Sequence, residues 1–343
     1  MRDGLLFGPA DLAAYGPVGT LAQQAATLLR QQQAGWELLR KGYESLAGVR
    51  TRRIMVGAIP FDIQFNPGRI ISSSANVDPA SIGQRRCFLC HEHLPPEQHG
   101  LAFGEFLILC NPYPIFPAHF TIPHRSHVAQ RIDGAFSVLL DLSRHLGSGF
   151  DLLYNGPRCG ASAPDHLHFQ AGNSGFMPLP QAVHDGPGGG GAKAMDGSAA
   201  ESAGILEGMG VDVTAVDDGL RRWFQLEGED ASLIEQAFDV LLGVLSRDED
   251  EGEEPMINIV AFYRRQWTVL VFPRRAHRPS FYGAETGMII SPAAVDMGGV
   301  TITPREEDFL RIREADIRRL FDDVCIARGD FERATAGLRR QLG

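Results

Sequence analysis

Apolar residues recur at helical spacing over residues 20–47, where Leu21, Ala25, Leu28, Leu29, Trp36, Leu39, Tyr43 and Leu46 stand among Gln and Arg. That pattern predicts one amphipathic helix packed on a single face. Residues 59–71 and 105–110 read as strands, and 118–122 pairs with the latter across the turn-forming Asn111-Pro112-Tyr113-Pro114. A helix over 134–146 follows, with Phe136, Leu139, Leu140 and Leu146 as its apolar stripe, and then strands over 150–155 and 165–171. The order strand, strand, helix, strand, strand predicts an α+β unit built on a mostly antiparallel sheet.

Residues 185–204 contain the run Gly186-Pro187-Gly188-Gly189-Gly190-Gly191, followed by Ala, Ser and Gly, which is linker composition. The chain divides there into a first domain, 1–184, and a second, 205–343. In the second, strands are expected over 256–263 and 267–272. A long polar helix over 304–326 starts at the capping pattern Thr303-Pro304-Arg305-Glu306. The acidic cluster at 247–254 reads as a solvated loop. Thr121-Ile122-Pro123-His124-Arg125-Ser126-His127 is echoed by Val271-Phe272-Pro273-Arg274-Arg275-Ala276-His277, which suggests two copies of one unit.

Composition narrows the function. The chain has 343 residues, 44% hydrophobic and 22% charged, with a formal net charge of -10. Such a field repels the backbone of DNA or RNA, so a nucleic-acid partner is not expected and a small anionic substrate needs a local basic pocket. No window has the run of apolar residues a membrane helix needs, and the start has no signal-peptide core, so a cytoplasmic protein without a membrane partner is expected. Five cysteines, with Cys87 and Cys90 the one close pair, do not make a secreted disulfide framework.

The chemistry concentrates in His166-Leu167-His168-Phe169-Gln170. In a strand, His166, His168 and Gln170 project to one face and Leu167 and Phe169 to the other, and the polar set is costly to bury unpartnered, so it faces a cleft. Asn155-Gly156-Pro157-Arg158-Cys159-Gly160-Ala161-Ser162 links the two strands, and its glycines let backbone N–H groups form an anion nest. A neutral imidazole at His168 can displace a leaving phosphate from a phosphate anhydride and form a phosphoramidate. Gln170, Ser162 and backbone amides can stabilise the charge on the non-bridging oxygens.

Together these segments resemble the signature of the histidine-triad superfamily, in the branch of galactose-1-phosphate uridylyltransferase, diadenosine tetraphosphate phosphorylase and GDP-L-galactose phosphorylase. The His166-Leu167-His168-Phe169-Gln170 run, preceded by Ala118 to Pro123 and Gln130 to Asp133, is most similar to the last group. The resemblance covers residues 105–172, and more faintly 256–279. It implies two histidine-triad-like units with mostly antiparallel sheets flanked by helices. His168 would be the nucleophile and Gln170 would hold the transferred phosphoryl group, with Asn155, Gly160, Ala161 and Ser162 seating phosphates. The substrate would be a nucleoside diphosphate sugar or a dinucleoside polyphosphate, with phosphate or a sugar phosphate as acceptor, and a homodimer is compatible with it. An ATP adenylyltransferase, or a nucleotide-binding sensor without turnover, would use the same pocket.

Cys87-Phe88-Leu89-Cys90 has the knuckle spacing for two thiolates on one tetrahedral zinc, with two ligands still to come from elsewhere. The resemblance supplies them as His127 and His166, with His124 competing for the place of His127, and with His91 and His93 also near. Four protein ligands would make the Zn2+ a structural clamp. Arg274, Arg275, His277 and Arg278 form the densest basic run. Arg274 and Arg275 are candidates to clamp an incoming phosphate, or else belong to an exposed arginine-rich turn.

Overall fold

The computed structural model describes residues 4–70, 79–185, 196–246, 253–283 and 287–343. Strands β1 (Arg50–Val56) and β2 (Ile59–Phe65) form a hairpin in a small sheet. The next five strands are β3 (Gly100–Phe103), β4 (Phe106–Cys110), β5 (His119–Pro123), β6 (Phe150–Asn155) and β7 (His168–Asn173). A second set of five follows: β8 (Glu201–Leu206), β9 (Val211–Asp217), β10 (Arg222–Gly228), β11 (Ile257–Tyr263) and β12 (Trp267–Pro273).

These ten make one antiparallel sheet in the order β3-β4-β5-β7-β6-β11-β12-β10-β9-β8. Read outward from the β6–β11 junction, the order is the same on both sides. A helix precedes each central strand, Phe136–Leu146 before β6 and Ala231–Leu245 before β11. The fold is therefore α+β with a repeated five-stranded unit, as expected. The seven-residue echo is not the trace of that repeat. Its first copy follows β5, whose counterpart is β10, whereas its second follows β12, whose counterpart is β7. A shared strand-ending Pro, Arg and His at inequivalent places is coincidence.

Alternation along the central strands separates two cores. Leu152, Tyr154, Phe169, Ile259, Val269 and Val271 point to one face. There the helices Leu21–Gly35, Phe136–Leu146, Ala231–Leu245 and Arg328–Leu342 pack on the sheet. Leu153, Val260, Leu270 and Phe272 point to the other, towards β1, β2 and the helices Glu306–Arg311 and Glu314–Val324. The small sheet is completed by β13 (Val300–Thr303), which runs parallel to β2. A strand from the second half thus closes a sheet begun in the first, and the two halves share both sheets.

Several elements differ from the sequence pattern. The helix expected over 20–47 is two, Leu21–Gly35 and Glu37–Ala47, because Trp36 turns extended (φ -126°, ψ 105°) and its indole is buried. The strand expected over 59–71 ends at Phe65, since Pro67 starts the 3-10 turn Pro67–Arg69. The helix expected over 304–326 breaks at the buried Ile312. The sequence pattern assigns no elements over 205–255, where β9, β10 and the helix Ala231–Leu245 lie. Half of the expected Gly-rich linker, 186–195, lies outside the described residues, and β8 begins within the expected linker. No helix among the described residues is long and apolar enough to cross a membrane.

The acidic cluster needs a sharper correction. Residues 247–252 lie outside the described residues, but Glu254 is buried rather than solvated. Its carboxylate accepts the Ile132 N–H at 2.5 Å and the Tyr154 hydroxyl at 2.7 Å, and burial pushes its pKa up to about 7. The folded state then binds a proton that the unfolded state releases near its ordinary 4.5. Glu254 contributes less to stability as pH rises from about 4.5 to about 7. Urea unfolding at both ends of that window should show a slope in wild type that Glu254→Gln lacks, worth at most about 3 kcal/mol.

Candidate functional site

The β-strand expected over 165–171 begins only at His168, so His166 stands in the preceding loop and His168 is the first residue of β7. Leu167 and Phe169 enter the helical core as the alternation requires. The two histidines therefore serve different sites that share a piece of backbone.

His166 belongs to a cluster with Cys87, Cys90 and His127, whose ligand atoms all lie within 4.8 Å of one another. His166 Nδ1 is 3.3 Å from Cys87 Sγ and 3.7 Å from Cys90 Sγ, and His127 Nδ1 is 3.2 Å from Cys90 Sγ. These separations match the edges of a tetrahedron with zinc-like bond lengths. The His166 Nε2–H donates to the His124 carbonyl at 2.7 Å, which turns the Nδ1 lone pair towards the thiols. The competition between His124 and His127 is thereby decided by geometry. His127 brings its ring to the cluster, while His124 brings its main-chain oxygen and keeps its ring against Ser126. His93 is held by the Cys87 carbonyl. The cluster can bind a metal ion through two thiolates and two imidazoles.

His168 is 4% exposed. Its N–H donates to Gln130 Oε1 at 2.7 Å, and the Gln130 amide reaches back to the carbonyls of Asn155 and His168, so one side chain ties together the ends of β6 and β7. The His168 Nδ1 is 2.8 Å from the His166 carbonyl. A carbonyl only accepts, so Nδ1 carries the proton and Nε2 carries the lone pair. Burial lowers the His168 pKa to about 4, and the ring is neutral at neutral pH.

A second chain of hydrogen bonds fixes Gln170. The Ile115 N–H donates to His119 Nδ1 at 3.2 Å, so the proton of this fully buried ring is on Nε2, which donates to Gln170 Oε1 at 2.9 Å. With its oxygen engaged, Gln170 has its amide N–H groups to offer to the cleft that it lines. Asn155, Gly160 and Ser162 line the same cleft, with Arg69, Ser291, Ala293 and Asp296 from the opposing layer.

The loop between β6 and β7 only partly follows the expected nest. The Gly156 N–H is spent on the Ile257 carbonyl and the Cys159 N–H on the Gly156 carbonyl. Those of Gly160, Ala161 and Ser162 have no partner among the described residues. Gly160 is required there twice over: its φ is +91°, and a Cβ would sit 2.8 Å from that of Ala293. Asn155 does not reach into the cleft freely, because its Oδ1 accepts from Asn258 Nδ2 at 2.8 Å and from the Ala294 N–H at 2.7 Å. It locks the loop and the helix Ala294–Met297 to the sheet junction.

The expected arginine clamp is corrected by the structure. The guanidinium of Arg274 is buried and bonds the carbonyls of Val324, Pro292, Ala276 and His277, and Asn258 Oδ1. Arg275 bonds the carbonyls of Asp322 and Asp323 at the end of the helix Glu314–Val324. Arg275 is spent on backbone and Arg274 on backbone and Asn258, and neither lines the cleft beside Gln170. Arg69, His119, Gln130 and Asp296 are the site residues that sequence reasoning missed. His119 and Gln130 stand in the segments that carry the resemblance, but only pairing of β5 with β7 brings His119 to Gln170.

Residues 28–173 match the family described as DUF4922, a domain of unknown function. No curated protein matches the chain. Among solved structures, the chain is similar to yeast Ap4A phosphorylase Apa2 with a TM-score of 0.52 and 14% identity, covering 84% of this chain and 94% of that one. The same yeast enzyme in complex with AMP gives a TM-score of 0.49 at 14% identity, covering 84% and 96%.

Two outcomes follow from this geometry. Elemental analysis should find about one metal ion per chain in wild type and a substoichiometric amount in Cys87→Ser, whereas metal-free wild type would dismiss the cluster as a binding site. Gly160→Ala should lower stability by about 2 kcal/mol or more in urea unfolding, through the left-handed backbone and the clash with Ala293. The chain shares the fold of yeast Ap4A phosphorylase Apa2.

Proposed function

We propose that the chain is a nucleotidyltransferase or phosphorylase of the uridylyltransferase-like type that works through a covalent nucleotidyl-His168 intermediate. The observation that carries this reading is the hydrogen bond from His168 Nδ1 to the His166 carbonyl, which leaves the lone pair on Nε2, on the strand face that His168 shares with Gln170.

In the first displacement, the Nε2 lone pair attacks the α-phosphorus of the donor, the N–P bond forms and the bond to the leaving phosphate oxygen breaks. The ring becomes cationic, and the Nδ1–H bond to His166 strengthens as it does so, an interaction worth more at the transition state than before it. The Gln170 amide and the N–H groups of Gly160 to Ser162 receive the non-bridging oxygens. In the second displacement, an oxygen of phosphate or a sugar phosphate attacks the same phosphorus and the N–P bond breaks, restoring neutral His168. The donor is a dinucleoside polyphosphate or a nucleoside diphosphate sugar. The fold shared with an enzyme named for Ap4A supports the former.

The strand equivalent to β7 is β12, where Leu270 and Phe272 fill the cleft-side positions with apolar packing. That supports one nucleophile per chain. The Cys87, Cys90, His127 and His166 set would hold zinc as a structural clamp, with no ligand position left for substrate.

The test offers α-phosphate-labelled Ap4A, GDP-sugar and UDP-sugar separately, without acceptor. Label should stay on wild type with one of them and be absent from His168→Ala; wild type that retains label from none, and turns none over with phosphate, would overturn the reading. His119→Ala should lower kcat about 10- to 100-fold with KM nearly unchanged, and should cost little more in a Gln170→Ala background, because it acts through that amide. Additive losses would contradict the relay.

A further inference from the structure

Arg69 is the one cation among the described residues that line the cleft. It projects from the 3-10 turn Pro67–Arg69, in the layer facing the sheet, towards the side where His119 and Gln170 meet. One of its N–H groups donates to the Tyr113 carbonyl at 2.9 Å, and the others have no partner among the described residues. Arg274 and Arg221 are different, each saturated by carbonyls and, for Arg221, by the Asp218 carboxylate.

Burial lowers the Arg69 pKa only to about 10, so it keeps its charge. A half-buried cation that lines a cleft with unspent donors is set to be completed by an anion. Asp296 lines the same cleft and attracts Arg69, but its Oδ2 is taken by the Ala293 N–H at 2.9 Å and it makes no ion pair with Arg69 among the described residues.

We propose that Arg69 binds the phosphate that leaves in the first displacement and, in the same place, the phosphate that enters in the second. A double displacement at one phosphorus returns the acceptor along the path the leaving group took, so one subsite serves both. The planar guanidinium suits it, because two parallel N–H groups can hold two phosphate oxygens. The substrate class rests on the nucleotidyl-transfer reading; the anion subsite itself does not.

The probe is inorganic pyrophosphate, titrated calorimetrically into the full chain. Wild type and His168→Ala should bind it alike. Arg69→Gln, which keeps a donor for Tyr113 but loses the charge, should bind about 10- to 100-fold more weakly, and Arg69→Lys should fall between. Folded Arg69→Gln that binds like wild type, or wild type that does not bind, overturns the proposal.

Modification of wild-type Arg69 by phenylglyoxal, read by peptide mass spectrometry, needs no variant to fold. Protection by pyrophosphate is expected, and no protection counts against the subsite. Pyrophosphate binding that needs Arg69, with no nucleotidyl-His168 formed, would keep the subsite and remove the transferase reading. The reverse pattern would remove the subsite alone.

Discussion

The hydrogen bond between the His168 ring and the His166 carbonyl joins two candidate sites in three residues. On one side, His166 turns its own ring to Cys87 and Cys90; on the other, its main-chain oxygen decides which nitrogen of His168 is protonated. A strand start places them so. His166 lies in the loop, where its ring can reach the cysteines, and His168 takes the first strand position, buried beside the cleft on the strand face it shares with the cleft-lining Gln170. Any ion held by the cluster would fix the loop and, through it, the ring of His168.

The rest of the fold serves that arrangement by settling polarity in advance. Gln130 closes the ends of β6 and β7, His119 sets the orientation of the Gln170 amide, and Asn155 locks the β6–β7 loop against Asn258 and Ala294. Each is a buried polar side chain whose partners leave one orientation open, and such preorganised dipoles are what a developing phosphoryl charge needs. The duplicated sheet puts this on the junction side of β7, and its counterpart β12 packs Leu270 and Phe272 instead.

Much of this was legible in the chain. The period-two pattern placed Leu167 and Phe169 in the core, and the Cys-x-x-Cys spacing, joined to the family resemblance that supplied His127 and His166, pointed to the four residues that the fold brings together. What misled was local likeness without topology. The dense basic run drew attention to Arg274 and Arg275, but the end of β12 abuts a helix terminus, whose carbonyls bind both guanidiniums. Arg69 was invisible for the opposite reason. It stands after a short hairpin in an unremarkable Pro-Gly-Arg turn, and becomes a site residue only because β13 returns from the second half to pack that hairpin's sheet over the cleft. Glu254 was hidden in a run of acids that composition alone reads as solvated.

The claim that carries the account is the tautomer of His168. Nitrogen NMR of the chain labelled with 15N at histidine, assigned by comparison with His168→Ala, reports it directly. A neutral ring with the proton on Nδ1 and an unprotonated Nε2, unchanged across neutral pH, is the predicted result. A proton on Nε2, or a cationic ring at neutral pH, would contradict it.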